Sequence, residues 1–404
     1  MKTARVLMMG TLLLASAAIS QAQDDAPAAP PPNLIDATFV PAPLLMFPNP
    51  TDSNTPVVWI GDQLSVFSSI AGQTARATGP SLEDATNPEG DQPGMVYADD
   101  IGSGRWLESV IRDEVSGRLY GWYHNEIPTE CEQGIRLWPQ IGATVSEDDG
   151  MTWEDLGLIL TPREGTISCD TEHPMTNGGI GDFSVILDRN ENPDERYLYF
   201  LFSSYGGELE EQGISFARMR WIDRDRPLDR FTGESAAVKW DGQDWLAPGI
   251  GGRSVAIFHD AAQVAWASAQ NSGYWGPSVH WNTDLQKFIV LMSRSRGGNY
   301  ESGGIYMTYT STLDAPASWA EPKVIIAAGQ GWYPQVVGDV SIQGTDTLAG
   351  QRARYFNQGK SHYFIEFAER PVDSPVVDEP APAPGSTRIV TRKLPAPQDT
   401  YELR

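Results

Sequence analysis

An all-β fold, a five-bladed β-propeller of four-stranded antiparallel blades, is predicted by three observations. Short apolar runs, alternating or continuous, dominate residues 34–370, and no long 3.6-residue period appears. The runs are punctuated by turn residues: the chain has 39 Gly and 30 Pro in 404 residues. A two-strand unit then recurs five times, its copies starting roughly 50 to 100 residues apart, the size of propeller blades with insertions.

The first unit runs from Asp52-Ser-Asn-Thr-Pro into residues 57–60, turns at Gly61-Asp62 and returns over 64–67. The second opens with Trp106-Leu-Glu-Ser-Val-Ile and returns over 117–123. The third opens with Gly181-Asp-Phe-Ser-Val-Ile and returns over 196–202. The fourth opens with Trp275-Gly-Pro-Ser-Val-His-Trp and returns over 287–292. The fifth opens with Trp332-Tyr-Pro-Gln-Val-Val and is expected to return over 363–367. Residues 142–146 and 152–160, 213–221, and 304–310 with 319–326 read as outer strands. A propeller gathers the starts of its inner strands around one axis, so Asp52, Glu108 and Asp182 are expected to meet there.

Residues 1–22 read as a secretory signal peptide: Lys2 and Arg5, an apolar run from Val6 to Ala18, and a small-x-small site at Ser20-Gln-Ala22. The expected location is secreted or periplasmic. Residues 23–33 read as a disordered Pro/Ala linker, 34–370 as the propeller domain, and 371–404 as a Pro-rich segment with a possible closing strand at 386–394. No other segment is apolar for long enough to span a bilayer. With 53 Asp+Glu against 29 Lys+Arg and a formal net charge of -24, the chain lacks the basic balance of a nucleic-acid binder. A monomer is expected. Cys131 and Cys169 lie in loop-like sequence of an exported chain and are expected to form a disulfide. The histidines show no zinc-like spacing.

Ser146-Glu-Asp-Asp-Gly-Met-Thr-Trp153 matches the Asp-box of sialidases and related propellers. The Asp caps backbone N–H groups, Gly takes positive φ and Trp packs between strands, so this motif marks architecture rather than catalysis. The absence of further good copies, and of a clear three-arginine set for a sialic carboxylate, disfavours a sialidase proper. The whole layout resembles the five-bladed glycoside hydrolases of the arabinanase and β-xylosidase type, glycoside hydrolase family 43 and its relatives. That resemblance implies a general-base Asp opening the first blade, an Asp that tunes a pKa in a later one, and a general-acid Glu. Asp52 stands in the first slot and Asp182, in Gly-Asp-Phe-Ser-Val-Ile, resembles the second. The family's Glu-Gly-Pro is replaced by Trp275-Gly-Pro, which leaves Glu108 as the blade-opening Glu. The resemblance implies no required cofactor; a structural Ca2+ held by dispersed oxygen ligands is possible.

Three carboxylates at one axis repel one another and lose water, which separates their pKa values into an acid and a base, the pair that glycosidic hydrolysis needs. The expected substrate is a poly- or oligosaccharide, with Trp106, His124, His173, Arg253, Trp275, His280, Trp332 and Tyr333 as candidate binding residues. Two other functions fit the same sequence: a glycan-binding propeller without catalysis, and a protein-interaction propeller that uses its loops.

Overall fold

A computed structural model describes residues 34–48, 51–70, 73–86, 96–97, 104–260 and 262–371. The signal peptide, the linker and the strand-like segment at 386–394 lie outside them. The described residues form five sheets arranged as a five-blade propeller. Blade I is Val57–Ile60, Gln63–Ile70 and Gln73–Gly79, three strands rather than four among the described residues. Blade II is Arg105–Arg112, Leu119–Cys131, Gly134–Ser146 and Thr152–Leu160, with Val96–Tyr97 added in parallel outside. Blade III runs from Ile180–Leu187 through Tyr197–Ser204 and Gly213–Arg220 to the short strands Val238–Trp240 and Trp245–Pro248. Blade IV is Ser272–Asn282, Lys287–Arg296, Ser302–Thr310 and Lys323–Ile326.

Blade V differs from its expected pairing. Pro334–Gly338 pairs with Arg352–Asn357, and Lys360–Arg370, which contains the expected partner 363–367, is the third strand. The nearer partner is masked in the sequence by its arginines: only Ala353, Tyr355 and Phe356 carry its apolar character, and all three are buried. The fourth strand comes from the other end of the chain. Leu34–Met46 pairs antiparallel with Lys360–Arg370, from Leu34 opposite Arg370 to Met46 opposite Lys360. The start and end of the described chain thus share one sheet, and closure leaves each blade packed between two neighbours.

Each seam between blades has its own apolar cluster. Phe67 of blade I meets Leu107 and Trp153 of blade II. Tyr120 and Trp122 meet Phe183 and Phe200 across the next seam. Tyr199 and Phe216 meet Val279 and Phe288, Ile289 and Met307 meet Ile365 and Phe367, and Phe356 meets Val57 and Val66. The Ser146–Trp153 turn feeds the first of these: Asp148 Oδ1 accepts from the Thr152 N–H at 2.8 Å, and Trp153 lies edge-on to Phe67 at 6.0 Å.

The repeated Ser-Val pair has a defined role. Ser109 Oγ accepts from the Val185 N–H at 2.9 Å, and Ser184 Oγ accepts from the Val279 N–H at 3.2 Å. Each serine therefore ties its inner strand to the inner strand of the next blade. Gln335 serves the same purpose at the last seam, where its Oε1 accepts from the Thr55 N–H at 3.0 Å and its side-chain amide donates to the Thr55 carbonyl.

Candidate functional site

The axial groups are displayed by breaks in strand pairing. In blade II, Leu107 pairs with Tyr123 and Ser109 with Trp122, so Glu108 is an extra, unpaired residue. In blade III, Gly181 pairs with Ser203 and Phe183 with Phe202, so Asp182 is the extra one. Blade IV repeats the break between Trp275 and Ser278, where Gly276 and Pro277 together stand opposite Met292. A bulge re-aims its unpaired side chain and bends the strand. The same device thus turns Glu108 and Asp182 to the axis and leaves blade IV without a carboxylate. Asp182 sits at φ 41°, a left-handed conformation that non-glycine residues rarely adopt.

Asp52 reaches the axis differently. Residues 51–56 form no strand, and Ser53, Asn54 and Thr55 are buried. The Asn54 amide donates to the carbonyls of Phe183 and Pro277, both at 2.7 Å, and so joins blades III and IV to the segment that leads into blade I. Asp52 precedes this plug and is exposed to solvent. The surrounding ring still strips water from it. Burial first, then the charges of Asp182 and Glu126, push its pKa from 3.8 up to about 6, against the pull of His124.

Glu108 is sealed, with 1 % of its side chain exposed. One oxygen accepts from the Phe183 N–H at 2.7 Å and the other lies 3.3 Å from His124 Nδ1. Burial raises its pKa from 4.5 to about 7, although both contacts favour the carboxylate. The imidazole of His124 is also buried. Burial opposes a charge on it, but hydrogen bonding to Glu108 and Glu126 and the charge of Asp182 raise its pKa well above 6.5. The Asp182 N–H points at Nδ1 from 3.0 Å, which requires a lone pair on that nitrogen. A doubly protonated ring cannot meet this contact. The backbone geometry therefore decides the microstate, and the proton that Glu108 and His124 share rests on Glu108. Gly181 is dictated by this arrangement, because a Cβ there would lie 2.6 Å from the His124 ring.

Asp182 is saturated. Tyr333 Oη donates to its Oδ1 at 2.8 Å, and Tyr205 Oη donates to its Oδ2. Burial and then the charge of Asp182 raise both phenol pKa values well above 10, so both remain donors. Trp275 lies 4.9 Å from Tyr300 and 5.1 Å from Tyr333, ring centre to ring centre, and Trp332 packs against the same cluster. Trp106 stands edge-on to His124 at 5.6 Å. The carboxylates are thus walled by aromatic faces.

Three expected binding residues lie elsewhere. Arg253 belongs to the rim of blade III, where it pairs with Glu210 and, at 2.8 Å, with Glu211. His280 is fully buried against Phe367 between blades IV and V, and burial pushes its pKa down to about 3. His173 is also fully buried: its Nδ1 accepts from the N–H groups of Met175 and Thr176 at 3.2 and 3.0 Å, and its ring supports Tyr300 from 5.0 Å. It acts behind the wall rather than on it. Conversely, Glu126, Tyr205 and Tyr300 belong to the site without having been singled out. The signal for Glu126 was its i+2 spacing from His124, which puts both on one face of a strand.

The disulfide Cys131–Cys169 joins the tip of the long blade II hairpin to the loop that carries His173, with 5.4 Å between Cα atoms. Glu108, His124 and Asp182 also offer ligand atoms within 4.8 Å of one another. They fit a metal poorly, because the Asp182 oxygens serve two tyrosines and His124 Nδ1 already accepts an N–H. A Ca2+ ion needs six to eight oxygens. No helix among the described residues is long and apolar enough to cross a membrane.

No family model matches the chain, and no curated protein matches it. Similar solved structures are glycoside hydrolases. An exo-beta-1,3-galactanase from Phanerochaete chrysosporium is 10 % identical, with a TM-score of 0.43 over 82 % of this chain; the match spans 64 % of the galactanase. An arabinanase from Bacillus subtilis is 11 % identical, with a TM-score of 0.41 over 80 % of this chain and 95 % of its own. An alpha-L-arabinofuranosidase from Lactobacillus brevis is 11 % identical, with a TM-score of 0.45 over 80 % and 92 %. At these identities and TM-scores the likeness does not bear on the chemistry of this chain, which rests on its own axial residues.

Proposed function

We propose that this protein is a secreted glycosidase that hydrolyses a poly- or oligosaccharide at the propeller axis. The observation that carries the reading is the meeting at one axis of a buried Glu108, whose pKa burial raises to about 7, a tyrosine-held Asp182, and a solvent-facing Asp52 within electrostatic reach of Asp182. Close carboxyl groups with separated proton affinities supply the acid and base of glycoside hydrolysis. Asp52 is the base, Glu108 is the source of the acid proton, and Asp182 orients its neighbours through its backbone N–H and carboxylate. Trp106 and Trp332, which are half-buried, offer apolar faces for sugar rings, whereas Trp275 and Tyr333 are buried and support the wall from behind.

The test is sugar release by the purified protein from plant, algal and bacterial polysaccharides, beside Asp52→Asn and Glu108→Gln. Release abolished by either change supports the reading; release unaffected by both refutes the assignment. The burial of Glu108 favours a second reading, a glycan-binding propeller without turnover. It predicts retention on a polysaccharide in affinity gels, no products, and binding that tolerates both substitutions.

A further inference from the structure

A sealed acid cannot touch a substrate, yet its proton has a route outward. Glu108 Oε1 lies 3.3 Å from His124 Nδ1, and His124 Nε2 lies 3.6 Å from Glu126 Oε1. Side-chain exposure rises along the row, from 1 % at Glu108 to 7 % at His124 and 26 % at Glu126. Glu126 also lies within electrostatic reach of Asp52 and of Tyr300. We propose that Glu126 is the carboxyl that meets the substrate, and that Glu108 and His124 form a proton relay behind it. The relay rests on the glycosidase reading, and it assigns Glu126 a catalytic role and Glu108 a positioning one.

The proton balance closes. Glu126 gives its proton to the glycosidic oxygen as the bond to the anomeric carbon breaks and the alcohol leaves. Water adds its oxygen to that carbon and gives a proton to Asp52. His124 Nε2–H reprotonates Glu126, while Nδ1 takes the proton of Glu108, which is left as a carboxylate. Nδ1–H then faces the Asp182 N–H, a repulsive contact that returns the proton to Glu108 once one proton from solvent, passed through Glu126, has recharged Nε2. Solvent at the opening also removes the proton of Asp52. The groups that face the imidazole are Glu108 and Trp106 from its own sheet, Glu126 from its own strand and Asp182 from blade III, with Asp52 within electrostatic reach.

Nuclear magnetic resonance of the whole chain tests this without any sugar. The His124 ring nitrogens, assigned with His124→Gln, are titrated in wild type, Glu126→Gln, Glu126→Asp and Glu108→Gln. Removal of a carboxylate partner lowers the His124 midpoint by about one pH unit or more. The relay predicts that fall in Glu126→Gln and in Glu108→Gln, with most of it restored in Glu126→Asp. A midpoint unchanged within about 0.2 pH unit in Glu126→Gln overturns the relay. A protein whose His124 midpoint responds to Glu126→Gln as predicted but that releases sugar from no polysaccharide sinks the hydrolase reading alone.

Discussion

Asp346→Asn isolates one buried charge that the ring closure depends on. Asp346 is buried in the turn before Leu348–Ala349, and its Oδ1 accepts from the N–H of Val57, the first residue of blade I's first strand, at 3.0 Å. Burial outweighs that hydrogen bond and pushes its pKa from 3.8 up to about 7. The folded value lies above the unfolded one. Its stabilisation is therefore full below pH 4 and is lost as pH rises through about 7. At about 1.36 kcal/mol per unit of pKa difference, the free energy of unfolding falls by roughly 2–3 kcal/mol between pH 5 and pH 8 through this group. Asparagine keeps an acceptor for Val57 and cannot ionise. Urea unfolding of both proteins across this range should show the variant gaining on wild type by that amount as pH rises. A difference constant to within about 0.5 kcal/mol would refute the reasoning.

Further outcomes follow from the site and its supports. Tyr333→Phe removes a 2.8 Å donor from the buried Asp182 carboxylate and should cost about 1.5–3 kcal/mol in urea unfolding. Reduction of Cys131–Cys169, which are 38 residues apart, should cost about 4 kcal/mol on the loop-entropy account and speed tryptic cleavage at Arg163. Arg253→Ala should leave turnover within about twofold of wild type and lower stability by about 1 kcal/mol, since its pair with Glu210 is exposed and the buried Glu211 keeps its two contacts to Arg163.

The blade count was legible because each inner strand carries its own signature. Glu108-Ser-Val and Asp182-Phe-Ser-Val put the interblade serine within two residues of the bulged one, so a local pattern reported a long-range contact. Closure was not legible. Leu34–Met46 contains Pro41 and Pro43 and pairs with a strand more than three hundred residues away, and nothing local distinguishes such a partner. Asp52, Glu108 and Asp182 were found because they open units. Glu126 was passed over because it follows a strand opening by twenty residues and reaches the axis only through the length of its hairpin. Arg253 and His280 were misplaced for opposite reasons: a Gly-rich loop looked like a pocket wall, and a strand residue next to Trp281 faced the seam rather than the axis.

The central claim is that axial carboxylates break glycosidic bonds, and the most direct measurement compares turnover of wild type and Asp52→Asn on the polysaccharide that wild type cleaves fastest. The account predicts that the variant keeps its affinity for that glycan while its rate falls by about 10²–10⁴-fold. A variant that cleaves as fast as wild type would contradict it.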